Sequence, residues 1–177
     1  MKKLFLLIVA SLFVTGAFAQ NWAVGARVGS GLQAVGQYGY NANNYVEARL
    51  GACWLDTKHG GITADATVLH NWKIYTMDWT PSAGEWFFDA GVGLSGGGDR
   101  YHGYVGIAGM ARLGFTFYEV PLSISVDYTP VIGPNFSKVH TDLHNMGFAN
   151  LGITCTYNFY CGAIRQTSTA ANKNKCE

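Results

Sequence analysis

Charged residues are scarce in this sequence of 177 residues, because they make up only 13% of it, about half the usual share of a soluble domain. Lysine and arginine form no run longer than two, and the formal net charge is +1, so no basic surface for nucleic acid is expected. After residue 20, no stretch reaches the roughly 18 consecutive apolar residues that a transmembrane helix needs. These scarcities argue against a nucleic-acid-binding protein and against helical membrane spans.

The first residues have the pattern of an export signal. Lys2 and Lys3 precede an apolar stretch over residues 4–14, and Ala17-Phe18-Ala19 provides a small-residue cleavage site. We therefore expect a signal peptide over 1–19, a single domain over 20–159, and a polar periplasmic tail over 160–177. An uncleaved anchor helix is the alternative reading of the first segment.

Four cysteines follow this signal, in a compartment that permits disulfides. Cys161 and Cys176 are candidates for a disulfide that closes a loop in the tail. Cys53 and Cys155 lie on opposite phases of their strands, so we expect both to be free and buried. No pair has the spacing of a metal site.

Segments of period-two alternation, bounded by turn residues, predict eight strands at 22–29, 32–40, 45–54, 62–73, 86–95, 104–118, 122–129 and 149–159. The glycine run before Asp99 is expected to be a loop. An even number of strands brings both ends of a barrel to one side. The outer loops would then be 29–31, 55–61, 96–103 and 131–145.

Charge within these strands follows one phase of the alternation, and the opposite phase is apolar. Side chains of a strand point alternately to its two faces, so one face is apolar and the other holds charges of both signs. The charged face also carries Gly, Ser, Thr and Gln rather than many Lys and Glu, which suits a crowded barrel interior better than a wet surface. The pattern predicts a lumen charge network of Arg27, Glu47, Arg49, Asp65, Asp89, Arg112 and Asp127, with Lys73 near a strand end.

Aromatic residues on the apolar phase lie at or near the predicted strand ends, where interfacial girdles of membrane barrels occur. The alternative is the ordinary enrichment of aromatic residues in strands. The residues concerned are Trp22, Tyr40, Trp54, Trp72, Trp86, Tyr128, Tyr157 and Phe159.

The last strand has a polar residue, a glycine two positions later, and then alternating apolar and aromatic positions. With Asn150, Gly152, Tyr157 and Phe159, it resembles the terminal assembly signal of outer-membrane barrels. Together with 106–117, 119–122 and 125–130, it makes the chain similar to small eight-stranded outer-membrane proteins of the OmpX or OmpA transmembrane-domain kind, notably the version common in Bacteroidetes. In that family the chain usually stops at the terminal aromatic residue, whereas this chain continues for 18 residues.

This resemblance implies an all-β, eight-stranded antiparallel up-and-down transmembrane barrel in the cell outer membrane. It implies contacts with outer-membrane lipid, with lipopolysaccharide and with the barrel-assembly machinery, and it implies neither a cofactor nor catalytic residues. Because the charged lumen would be plugged, we expect a structural or surface-interaction role: membrane integrity, adhesion or partner binding through the outer loops. The alternatives are a narrow pore or carrier for small solutes, and a soluble lipocalin-like binding protein.

The sequence offers little enzymatic or metal chemistry. Ser123 and Ser125 are predicted to lie near the opposite end of the barrel from the loop histidines, whereas a nucleophile and its base must be within hydrogen-bond reach. We therefore expect no enzyme. Loops position metal ligands poorly, so we expect no metal site either; the weak candidates are His59, His102, His140 and His144.

Overall fold

The computed structural model describes residues 22–53, 62–77, 82–99, 102–137, 141–145 and 150–159. Within these ranges, no helix has the length and apolar character needed to cross a membrane. The fold is all-β. Its segments are β1 (Trp22–Gly29), β2 (Gly31–Gly39), β3 (Asn44–Cys53), β4 (Thr63–Thr76), β5 (Gly84–Gly98), β6 (His102–Phe117), β7 (Leu122–Tyr128), β8 (Val131–Ser137), β9 (Thr141–Asn145) and β10 (Leu151–Asn158).

The ten segments build a closed barrel of eight strands. Successive segments from β1 to β6 pair antiparallel, and β10 pairs with both β7 and β1, which closes the ring. Two of the eight strands are each made of two segments. The segments β7 and β8 form one strand, because both pair with β6. The segments β10 and β9 form the next strand, because they pair with β7 and β8 respectively. The predicted eight-stranded antiparallel up-and-down barrel is therefore confirmed, and so is the tight turn at Ser30.

The predicted loop over 131–145 is wrong, because residues 131–137 form β8 and residues 141–145 form β9. Proline lacks the N–H group that a ladder needs, so Pro130 indicated the end of a strand. In the structure the proline carbonyl still accepts a hydrogen bond from Gly109 N at 2.9 Å. The pairing with β6 keeps the same register on both sides, from Ala111 with Tyr128 to Ala108 with Val131. One missing donor is tolerated because the neighbouring strand holds the rest of the ladder.

The predicted loop at the glycine run is also wrong, since β5 continues through Gly98. Gly96, Gly97 and Gly98 pair with Val105, Tyr104 and Gly103 of β6. Ladder hydrogen bonds use the backbone alone, so glycine can make them although it weakens an isolated strand. Gly97 also leaves room for its neighbour, because an added Cβ there would meet the Tyr104 ring at 2.7 Å.

Two further expectations need correction. The connection between the fourth and fifth strands is shorter than the predicted 74–85, because β4 continues past a bulge at residues 73–75 and β5 begins at Gly84. Tyr128 does not end its strand, since β8 carries the same strand on to Ser137. Trp54 lies outside the described residues.

Side chains alternate between a polar lumen and an apolar outer face. Arg27, Glu47 and Arg49 are almost completely buried inside the barrel. Large aliphatic side chains are more than half exposed outside, among them Val28, Leu50, Leu94, Ile107 and Ile153. Cys155 is free but exposed on this outer face, so the expectation that it is buried is wrong. Polar and charged side chains thus outnumber apolar ones among the buried residues that the structure describes.

Candidate functional site

The lumen contains a cluster of charged side chains, and Glu47 of β3 is one of its two centres. Its carboxylate accepts hydrogen bonds from both terminal nitrogens of Arg112, at 2.7 Å (Nη1 to Oε2) and 2.8 Å (Nη2 to Oε1). Arg49 Nε donates to Oε1 at 2.5 Å, and Gln37 Nε2 donates to Oε2 at 2.5 Å. A buried carboxylate needs such charged and neutral donors to offset the loss of water.

Asp127 of β7 is the second centre. Its Oδ1 accepts from Arg27 Nε at 2.8 Å, from Arg49 Nη1 at 3.3 Å and from the Thr129 hydroxyl at 3.1 Å, while Oδ2 accepts from the Thr154 hydroxyl at 2.6 Å. Because Arg49 donates to both carboxylates, it joins the two centres. Side chains from β1, β3, β6 and β7 are thereby tied together across the barrel.

Asp65 and Asp89 connect to these centres through neutral side chains. Gln33 accepts from Arg27 Nη1 at 3.2 Å and donates its own N–H to Asp65. The Tyr45 hydroxyl accepts from Arg112 Nη1 at 3.1 Å and donates to Asp89 at 2.7 Å. All seven residues of the predicted charge network thus lie in the lumen. Arg27, Glu47, Arg49, Arg112 and Asp127 form ion pairs with one another, and Gln33 and Tyr45 connect Asp65 and Asp89 to the arginines.

Several lumen residues were missed from the sequence. Tyr45 shares the phase of Glu47 and Arg49, a signal that could have identified it. Glu85 is buried near the start of β5, but it had been placed in a connecting loop. Asn71 is fully buried, and neither side-chain amide atom has a hydrogen-bond partner among the described residues.

The residues that resemble an assembly signal divide between the two faces. Asn150 Oδ1 accepts from Arg27 Nη2 at 3.0 Å and from the Ser30 hydroxyl at 2.7 Å. Gly152 lies against the Arg27 guanidinium, whereas Tyr157 and Phe159 are exposed outside with ring centroids 5.4 Å apart. Asn150 and Gly152 therefore face the lumen, and Tyr157 and Phe159 lie on the outer face.

Replacing Gly152 by alanine is expected to destabilise the barrel by about 1–3 kcal/mol, the usual cost of overfilling a packed interior. The new Cβ would lie 2.5 Å from Arg27 Cζ and 2.6 Å from Nε, and this guanidinium is held by Asp127. Urea unfolding of the two proteins would measure the loss. Gly36→Ala is the matched control, because a Cβ there meets nothing within 4 Å; equal midpoints for both variants would contradict the prediction.

An apolar cluster lies in the lumen between Arg112 and the β5–β6 turn. The cluster consists of Leu69, Tyr104, Ala108, Met110 and Val131, all nearly inaccessible to solvent. Arg49 Nη2 lies 3.4 Å from the Met110 sulfur, so the apolar cluster rests directly on the charged one. At the other end of the lumen, a Cβ at Gly114 would collide with the Phe87 ring. Buried side chains therefore occupy the described lumen above and below the ion pairs.

None of the four candidate metal ligands has its side chain among the described ones. His59 and His140 lie outside the described residues, while His102 and His144 are described only by their backbone in β6 and β9. The described part of the chain holds no group of three or more His, Cys, Asp or Glu side chains suited to a metal ion. Cys161 and Cys176, the candidate disulfide, also lie outside the described residues.

Comparison with known proteins gives no relative, because no family model, no curated protein and no solved structure matches this chain.

Proposed function

We propose that this protein is an outer-membrane β-barrel with a plugged lumen and a structural or surface-interaction role. The observation that carries the proposal is the reversed burial: charges of both signs are hydrogen-bonded inside, and exposed aliphatic side chains cover the outside. A closed barrel leaves no backbone group unpaired in lipid. Its apolar outer face would cost free energy in water and is favourable in hydrocarbon.

Outward aromatic side chains support a membrane location. Most of those described gather at one end of the barrel, the end at which Phe159 N donates to Trp22 O, so both termini of the barrel lie there. Tyr128 lies midway along its strand, and Phe136 lies near the opposite end. Tryptophan and tyrosine prefer the boundary between hydrocarbon and headgroups. We call this set the aromatic girdle; it comprises Trp22, Tyr38, Tyr40, Trp72, Tyr75, Trp86, Phe88, Phe115, Phe117, Tyr157 and Phe159.

The plugged lumen supports a role without transport. A solute would have to pass Arg49, which donates to two carboxylates, and then the apolar cluster that includes Met110. Breaking buried ion pairs without replacing them is costly. We therefore propose that the protein acts through its surfaces, contributing to membrane integrity, and that its outer loops contact lipopolysaccharide or another surface partner.

Two alternatives remain candidates. A narrow pore would use the same charged lumen as its lining, and the three arginines would then set its selectivity. A soluble lipocalin-like protein would share the closed eight-stranded barrel. It would, however, use an apolar interior and a polar exterior, whereas buried polar side chains outnumber buried apolar ones among the described residues, and the apolar ones include the cluster around Leu69 and Val131.

Reconstitution of the purified protein into lipid would distinguish the plugged barrel, the narrow pore and the soluble binding protein. Purified protein is expected to require detergent, to float with lipid vesicles, and to pass no steady current after fusion of the vesicles with a planar bilayer. A monomer that stays in solution without detergent would instead support the soluble binding protein. A steady conductance that changes in Arg112→Ala or Asp89→Ala would support the pore.

A further inference from the structure

One sector of the aromatic girdle is rich in hydrogen-bond donors. Every girdle residue from β1, β2 and β4 carries an N–H or O–H group, whereas all four girdle phenylalanines come from β5, β6 and the chain end after β10. The barrel thus presents two chemically different sectors to its surroundings at the same end. With His70, we define the donor sector as Trp22, Tyr38, Tyr40, His70 and Trp72.

His70 belongs to β4, at one side of this sector. Among the strand residues whose side chains are described, it is the one histidine, and it is on the outer face, two residues further from the barrel end than Trp72. It pairs with Val46 of β3 and Val92 of β5, so its backbone neighbours on both sides are apolar. A polar side chain on a lipid-facing surface is costly, and such residues commonly mark functional sites.

The contacts of His70 leave part of its hydrogen-bonding capacity unused. The Tyr40 hydroxyl is 3.1 Å from Nδ1 and 3.3 Å from Nε2, so it faces the ring edge between the two nitrogens. One hydroxyl can bond well to only one of them, since the bonding directions of the two nitrogens diverge. No other described residue hydrogen-bonds to either nitrogen, so one is left to face the surroundings of the barrel.

Aromatic contacts hold the His70 ring in place. Its centroid lies 4.7 Å from that of Trp72 in an edge arrangement and 5.8 Å from that of Tyr40. Next to them, Trp22 and Tyr38 have centroids 5.0 Å apart, and Tyr38 is separated from His70 only by Val46. Trp22, Tyr38, Tyr40 and Trp72 are each exposed by more than a third, so this preformed patch is accessible from outside.

We propose that the donor sector binds one phospholipid, whose phosphate and ester oxygens accept hydrogen bonds from His70 and from the neighbouring tryptophan and tyrosine side chains. This proposal rests on the membrane location proposed above. At girdle depth, a phospholipid offers acceptor oxygens, while its acyl chains suit the aliphatic face beyond His70. The other sector, which contains the four girdle phenylalanines, offers apolar contact and few donors, so bound lipids should exchange freely there.

Native mass spectrometry can test this site. Wild-type protein is reconstituted with phosphatidylethanolamine and phosphatidylglycerol, extracted again in mild detergent, and analysed for phospholipid retained per barrel. Wild type is expected to retain one phospholipid, and His70→Leu about fivefold less, the ratio for one net hydrogen bond. His70→Gln keeps an N–H donor and is expected to retain the lipid. Phe88→Leu is the matched control in the other sector and should also retain it.

The possible failures of this test are distinguishable. Equal retention by His70→Leu and wild type, or an equal loss in Phe88→Leu, would overturn the site while leaving the membrane barrel intact. In that case all variants would still show a compact form that migrates differently on gels before and after heating. A wild-type protein that neither shows this form nor enters vesicles would overturn both the site and the proposed function.

Discussion

Replacing Glu47 by glutamine is expected to lower the free energy of unfolding by about 3–5 kcal/mol. The substitution removes the charge that faces Arg112 and Arg49, which lie 2.7 Å and 2.5 Å from its carboxylate oxygens. Both guanidiniums are then buried with too few negative neighbours, because Asp127 is already shared by Arg27 and Arg49. Urea unfolding, followed by the gel migration of the folded form, would measure the loss.

Two further proteins make this test specific. Glu119→Gln changes an exposed carboxylate in the β6–β7 turn and is expected to shift stability by less than about 0.5 kcal/mol. The double variant Glu47→Leu with Arg112→Met removes both charges of the bidentate pair, so it should recover part of the loss. A Glu47→Gln protein with the wild-type urea midpoint would show that the ion pairs contribute little to stability.

Leu94→Arg is expected to destabilise the barrel in a bilayer by about 2–4 kcal/mol, the cost of a charge on the lipid face away from the girdle. Leu94 is 64% exposed on the outer face of β5, and its cross-strand partners are Val68 and Ile107. In lipid, an arginine there would have to reach toward the headgroups to keep its charge hydrated. Unfolding from lipid vesicles, with the fraction of inserted protein, would measure the effect.

The size of this destabilisation depends on whether the outer face of the barrel meets lipid or water. Tyr75→Arg places the same charge on the outer face at the girdle end of β4, opposite Phe88, and should cost at most about 1 kcal/mol. In water, an arginine at either position would be an ordinary surface residue with little effect. Equal stability of both variants in aqueous buffer, without lipid, would therefore contradict the membrane proposal and favour the soluble barrel.

Strand number and side-chain phase could be predicted because both depend on local alternation. The phase that carries Arg27, Glu47 and Arg49 is visible in the sequence, and the structure turns that phase inward. The segments around Pro130 and Gly97 could not be predicted in the same way. Local rules make proline and glycine strand breakers, but in a closed barrel the neighbouring strand β6 supplies the hydrogen bonds that extend both segments.

The side-chain contacts within the candidate site could not be predicted from the sequence. Nothing in the spacing of Glu47 and Arg112 along the chain indicates that they meet, since they lie 65 residues apart in sequence. Nor does the sequence show that Gln33 and Tyr45 connect Asp65 and Asp89 to the arginines. Such contacts depend on register, and a shift of one residue would turn every side chain of a strand to the other face.

By itself, then, the sequence determined that one face of each strand is apolar and the other polar, because alternation along a strand is a property of neighbouring residues. It also determined the strand count, since turn residues separate the alternating segments. Only the tertiary structure decided which charges pair, which glycines lie against Arg27 and Phe87, and that His70 stands among donor-bearing aromatic side chains. The physical reason is closure: a side chain deep in the lumen meets partners from distant strands, and their positions are fixed by the registers of the whole ring.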